Sequence, residues 1–485
     1  MNTLPKVPAF SLALALGGCL AGPNYHRPPV ATPAQYKELA GWTVAAPAAD
    51  QPKGDWWTAF NDPLLDELEP MVSVSNQTVR QDYANYQQAL AEVQVARSAL
   101  FPTIGISGAV TRQRAGSGLS APGAGGVVNS GSLEGNVSWA PDLWGAVRRN
   151  IEASKATAQA SAATLANATL AEQTALATAV IDLRVTDANI DLLQRTVAAF
   201  TEFLRVVSNQ GAAGTTPPSD VIIARTQLEN TRSSLIALGV ARAQEAHAIA
   251  VLVGKNPEDL DIAHSIQVPA LPSLPVGVPS TLLQRRPDIA VAERQMAAAN
   301  AAIGVAEAAY YPTLTLSAVD GFSQSPLAGL LHTANNVWSL GADAAENLFQ
   351  GGLTRAQVAA AKAAYEASVA NYRGTVLKAL QNVEDDLAGL RILAEQSEVL
   401  DSAVRDATRG SEIAFNEYRA GTVDYTTAAT AQATQLSIEE TALSVKLQRL
   451  LDTVSLIGDL GGGWSADELQ KQHKPAPGRS ADAPQ

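Results

Sequence analysis

The sequence predicts a mainly α-helical chain with a small β part, built twice over on one plan. Three observations carry this reading. Apolar residues make up 46% of the 485 residues and aromatics only 5%, so alanine, leucine and valine dominate, as in helices packed side by side. Two junctions of one kind, FPTIGIS at Phe101–Ser107 and YPTLTLS at Tyr311–Ser317, each follow an alanine-rich helical stretch. Long runs free of glycine and proline carry apolar residues every seven positions.

The elements follow in order. Residues 1–18 read as a signal peptide: Lys6 supplies positive charge, and Val7–Leu16 is an apolar run too short to span a bilayer. It ends in Leu16-Gly17-Gly18-Cys19, which resembles a bacterial lipobox, so Cys19 is expected to carry covalent lipid. Residues 19–71 read as an N-terminal anchor and equatorial segment. A first repeat, 72–255, begins with a helix from Val72 to Leu100. Pro102 ends it, and the period drops to two at Ile104 and Ile106, a strand. A Gly/Ser loop over 115–135 leads to a second strand near Leu133–Trp139. From Gly145 to about Gln210 a long helix carries Leu176, Leu183, Ile190, Val197 and Leu204 in heptads, with Leu193, Phe200 and Val207 beside them. A turn, Gly211–Asp220, precedes another helix to Val253.

A proline-rich linker, 256–279, separates this from a second repeat, 280–460, with the same order. Its helix stops at Tyr311-Pro312, and its strands lie at Leu314–Leu316 and about Val337–Leu348. A long helix runs from Gly352 to about Arg419. It turns at Ala420–Thr422 into a last helix with Leu436, Leu443, Leu450 and Ile457 in heptads. The tail, 461–485, is polar.

Several classes are excluded. A net charge of −13 without a basic run is unsuited to nucleic acid, and no nucleic-acid partner is expected. No phosphate-binding loop, HExxH or CxxC motif occurs, and the five histidines are scattered, so neither an enzyme nor a cofactor or metal site is expected beyond the lipid on Cys19. After Cys19 no run of about 20 apolar residues reads as a membrane helix. A membrane crossing would then need a closed barrel, and four strands are too few to make one. If these strands span a membrane, the chain must associate with itself; three copies would supply twelve strands and a ring of long helices.

The residues also resemble a known family. GPNYHRPPV (Gly22–Val30), DWWTAFNDPLLDEL (Asp55–Leu68), SWAPDLWGAVRRNIEAS (Ser138–Ser154), LLQRRPDIAVAERQMAAANAAIGVAEAAYYPTL (Leu282–Leu314) and LFQGG (Leu348–Gly352) together resemble the outer membrane efflux factors of the TolC/OprM family, most closely the NodT-type lipoproteins. The resemblance implies a long-helix α-barrel in the periplasm and a trimeric 12-stranded β-barrel in the outer membrane of a Gram-negative bacterium. It implies a tripartite efflux pump completed by a periplasmic adaptor and an inner-membrane transporter of the resistance-nodulation-division type. The chain itself would catalyse nothing.

Phe101, Pro102, Tyr311 and Pro312 are then expected where periplasmic helix becomes membrane strand. The resemblance places a periplasmic aperture at the two helical turns, with Asp220, Asp424, Tyr425 and Thr430 as candidates. Gly421, Ala431 and Gln432 match the family pattern there, but Thr430 stands where many relatives carry aspartate. Asp220 could equally be a helix cap. Two alternatives share much of this pattern: the exit duct of a type I protein-secretion system, and a lipid-anchored periplasmic scaffold without a pore.

Overall fold

A computed structural model describes residues 20–38, 55–114, 127–272, 285–467 and 469. Cys19, the signal segment and the end of the tail lie outside the described residues. Seven α-helices and four strands are described: α1 (Pro63–Ser75), α2 (Gln77–Ser98), β1 (Thr103–Arg114), β2 (Val127–Trp139), α3 (Ala146–Ala212), α4 (Pro218–Leu252), α5 (Pro287–Ala308), β3 (Thr313–Gln324), β4 (Asn336–Ala345), α6 (Leu353–Ala420) and α7 (Tyr425–Asp459). The chain divides into two compact units. One takes in Met1–Pro29, Tyr86–Ala160 and Ala292–Tyr372; the other Val30–Asn85, Ser161–Val291 and Arg373–Gln485.

The first unit holds one antiparallel sheet in the order β1-β2-β3-β4. Its middle pair joins a strand from each half of the sequence, with Ser138 opposite Ser317 and Leu133 opposite Phe322. The helices α3 and α6, of 67 and 68 residues, each represent about 100 Å of helix.

The second unit is cored by Trp56, Trp57, Phe60, Leu65, Leu68 and Val72, packed on Leu176, Val180 and Leu183 of α3, Ile249 of α4 and Val454 of α7. Heptad positions Leu176, Leu183, Leu193 and Val207 are buried. The segment before α2 is helical from Pro63, earlier than expected, and the continuous helix predicted from Val72 is broken at Asn76. The cause is capping. Asp62 accepts from the amides of Leu64 and Leu65, with proline at the first helical position. Asn76 then takes an extended conformation, accepts from the amides of Thr78 and Val79, and donates to Glu172 and the Leu252 carbonyl. The last strand also stops at Ala345, short of Leu348. Leu348 and Phe349 sit in an exposed corner, where Gly351 and Gly352 take positive φ.

By length and composition α4 could cross a membrane, a property the sequence reading did not anticipate. Two of its charged side chains reach α3: Arg242 pairs with buried Asp187 at 2.7 Å, and Glu245 accepts from Thr186. These contacts tie the end of α4 to its neighbour.

Two ionic features sit in this core. Asp62 and Arg184, both buried, form a two-point pair at 2.9 and 3.2 Å. Glu69 is fully buried, and neither carboxyl oxygen has a hydrogen-bond partner. Burial pushes its carboxyl up to about 9, from an ordinary value of 4.5. The unfolded chain releases this proton near pH 4.5 and the folded chain only near 9, so stability falls as pH rises between the two, by about 3 kcal/mol at pH 7. Glu69→Gln is expected to flatten the decline in thermal midpoint between pH 5 and pH 8. An unchanged slope would show that Glu69 is ionised in the fold.

Candidate functional site

Cross-strand partners in an antiparallel sheet share a face, so the pairing assigns every side chain. One face carries Ile104, Ile106 and Val110 of β1, Leu133 and Val137 of β2, Leu316 and Phe322 of β3, and Trp338 and Leu340 of β4. The other carries Ser107, Thr111, Asn136, Glu134, Ser317, Ser323, Asp343 and Ser339. The apolar side is uncovered in the chain: Ile106 is 83% and Leu340 77% exposed. Asp320 is the acid on that face, and it accepts from Asn336 beside it. Strands β1 and β4 form the two edges of the sheet.

Both helix-to-strand junctions lie at one end of this sheet. Phe101-Pro102 separates α2 from β1, and Tyr311-Pro312 separates α5 from β3. Each is tied by a tryptophan indole from the Ser138–Ser154 motif, a role the sequence did not reveal. Trp139 donates to the Leu100 carbonyl at 3.0 Å, and Trp144 donates to the Pro312 carbonyl at 2.7 Å while stacking on Tyr311 at 4.8 Å. The signal was present: two tryptophans bracket Ala140–Leu143 at the end of β2. The aromatic groups therefore gather where the strands begin.

The N-terminal segment is sewn to the same corner. The Ala21 amide donates to the Trp144 carbonyl at 3.0 Å. Arg149, on the first turn of α3, is fully buried and donates to the carbonyls of Ala21 and Gly22, to Asn24 and to Glu152. Asn300 donates to the Pro23 carbonyl, and Tyr25 donates to Glu293. A Cβ at Gly22 would lie 2.3 Å from the Gly304 Cα, so both glycines are required where the strap crosses α5. The sequence motifs around Gly22, Arg149 and Asn300 thus form one structural lock. It brings Leu20, the residue after Cys19, to the strand-to-helix corner at Gly145.

The two helical turns in the second unit are joined by an aromatic cluster. Phe203 of α3 lies 5.2–5.4 Å from the rings of Phe415, Tyr418 and Tyr425. Tyr418 donates to Gln210 across α3 and α6. Asp220 is on the first turn of α4, where Thr216 donates to it at 3.0 Å; Pro217 holds the cap position. Asp424 is the cap of α7, accepting from the Thr427 amide at 2.8 Å and hydroxyl at 2.6 Å, which hold its carboxyl below the usual range. Asp424 and Thr430 are exposed, and the Thr430 hydroxyl donates back to the Thr426 carbonyl. Tyr425 is buried among the rings, where loss of water pushes its hydroxyl up to about 12, with Tyr418 and Asp220 adding to the rise. Within its own chain its ring fills space. Asp220 and Asp424 leave the two turns as the acidic candidates. Among the described residues no group of three or more His, Cys, Asp or Glu side chains could hold a metal.

Phe203→Ala removes the ring shared by the other three and is expected to cost about 3–5 kcal/mol locally. Amide exchange should rise at both turns, around Gln210 and Gly421, and stay unchanged in the sheet. Equal protection at the turns in variant and parent would show that the cluster does not hold them.

The family model for outer membrane efflux proteins matches residues 71–255 and 278–462. The solvent efflux pump outer membrane protein SrpC of Pseudomonas putida is 30% identical over 475 residues, covering 96% of this chain and 99% of its own. Nodulation protein T of Rhizobium leguminosarum bv. trifolii is 29% identical, covering 94% of this chain and 97% of its own. The solved outer-membrane channel OprN is 28% identical, with a TM-score of 0.86 over 92% of this chain and 100% of its own. The Campylobacter jejuni CmeC channel, 22% identical, shares the fold with a TM-score of 0.87 over 94% of this chain and 97% of its own. With the model matching most of its length, the chain belongs to the outer membrane efflux protein family.

Proposed function

We propose that three copies of this chain form the outer membrane duct of a tripartite efflux pump, through which small toxic compounds leave the periplasm. The observation that carries the reading is the sheet: one apolar face, one polar face and two edges without a partner strand. The 12 residues of β1 extend about 40 Å, and at the tilt usual for membrane barrels they span about 28 Å, the thickness of a hydrocarbon core. The apolar face meets lipid and the polar face lines the lumen. Each edge strand pairs with the next copy.

The aromatic junctions at Phe101 and Tyr311 sit at the periplasmic interface of the membrane. Cys19 carries lipid, a reading supported by the attachment of its neighbours Leu20 and Ala21 to that same corner. The long helices continue as the periplasmic wall and meet an adaptor protein and a resistance-nodulation-division transporter, which supplies the energy. The family consists of transport components, and the chain acts as a conduit. Relatives named for toluene and solvent efflux support apolar organic compounds as cargo. At the two turns, threefold symmetry turns Asp424 into a ring of exposed carboxylates that attracts cations.

Deletion of the gene, in a strain lacking redundant ducts, is expected to raise sensitivity to organic solvents, dyes and detergents. Unaltered sensitivity to all of them would overturn the efflux reading. Cys19→Ser should abolish metabolic labelling with palmitate; retained label would place the lipid elsewhere. In planar bilayers, Asp424→Asn should weaken block by divalent cations more than Asp220→Asn, because Asp424 is the more exposed. Unchanged block in both variants would remove these acids from the aperture.

A further inference from the structure

Beneath the first junction the structure holds a cavity of about 590 Å³, formed by the end of α2, the first turns of α3, α5 and the N-terminal strap. Its wall is basic. Arg148 is held by Asp142 at 3.0 Å, and Arg294 is engaged by Glu293 and Gln159 and lies over the Tyr25 ring. The acid in the wall, Glu152, is taken by Arg149. Arg97 and Lys155, both half-buried, have no hydrogen-bond or ion-pair partner among the described residues. The cavity therefore presents two uncompensated cations against a wall whose other charges are already paired.

The rest of the lining says what kind of anion fits. Leu100 and Phe101 border the same cavity, and Phe101 is 68% exposed. The chain then runs straight into β1, whose Ile104, Ile106 and Val110 continue as an uncovered apolar track. A soluble anion would use the cations and leave that track bare. We infer that this cavity binds the phosphate of an anionic phospholipid in the periplasmic leaflet, between Arg97 and Lys155, with its acyl chains along Leu100, Phe101 and the apolar face of β1. Guanidinium and ammonium groups both recognise phosphate through charge-assisted hydrogen bonds. The site lies at headgroup depth if the strands span the membrane, so the inference rests on the duct reading.

Native mass spectrometry of the detergent-extracted full chain tests it, with phosphatidylglycerol, phosphatidylcholine and inorganic phosphate titrated separately. Phosphatidylglycerol adducts are expected to persist on the parent and to weaken about tenfold or more in Arg97→Gln/Lys155→Gln, with the charge-keeping Arg97→Lys close to the parent. Phosphatidylcholine should bind weakly to all forms. The single variants Arg97→Gln and Lys155→Gln read the same loss if the double variant does not assemble. Equal phosphatidylglycerol retention in parent and neutral variants, or equal binding of phosphatidylcholine, would overturn the assignment. Displacement of the lipid by millimolar phosphate would do so too, by making the ligand a soluble anion. Single-channel conductance of the same preparation separates the two readings: conductance without lipid preference sinks this inference alone, and no conductance sinks the duct.

Discussion

A strand inside a bilayer can send the N–H and C=O groups of its edge only to another strand, because no water is there to take them. The rest of this molecule follows from that constraint. The chain supplies four strands, and β1 and β4 end the sheet with unpaired edges. The pairing separates Ile104, Leu133, Leu316 and Leu340 from Ser107, Asn136, Ser317 and Ser339, with Arg112 and Arg114 at the far end of the apolar face and Val319 and Val337 on the polar one. Such a sheet is stable in a membrane only when copies of the chain complete a barrel.

Closing the barrel with several chains demands that each present its edges at a fixed height and angle. The corner around Trp144 provides the means. Trp139 and Trp144 clamp the two junctions, and buried Arg149 ties the strap from Ala21 to Asn24 onto the start of α3. In the second unit the buried Asp62–Arg184 pair and the pair of half-buried Arg242 with buried Asp187 fix the register of the helices that heptad packing alone leaves free to slide. Burial raises the Asp386 carboxyl, with the neighbouring Asp459 adding to the rise, while Arg286 pairs with Asp459 at 2.6 Å.

Much of this was legible in the sequence because it rests on local chemistry. Proline at 102 and 312 stops a helix wherever it occurs, and a period of two beside it declares a strand. The glycine- and proline-free run that became α3 could hardly be anything else, and the proline-free run that became α6 tolerates Gly374, Gly389 and Gly410. What escaped depended on distant partners. The break at Asn76 is a cap whose other contacts come from Glu172 and Leu252, about 100 and 180 residues away. Arg149 reads as one of two adjacent arginines until the strap folds over it. Tyr425, named for the aperture by resemblance, shows in the sequence nothing of its packing on Phe203 and Tyr418. The hydropathy of α4 was diluted by its charges, and only the fold reveals that Arg242 and Glu245 turn to α3.

The central claim is that β1 of one copy pairs with β4 of the next. Cysteines placed at Ser107 on β1 and Ser339 on β4, with a short bis-maleimide added to intact outer membranes, test it directly. The account predicts linked species that climb to a trimer and stop there, and no ladder from either single cysteine alone. Linkage confined within one chain, or no linkage in membranes where the protein is inserted, would contradict it.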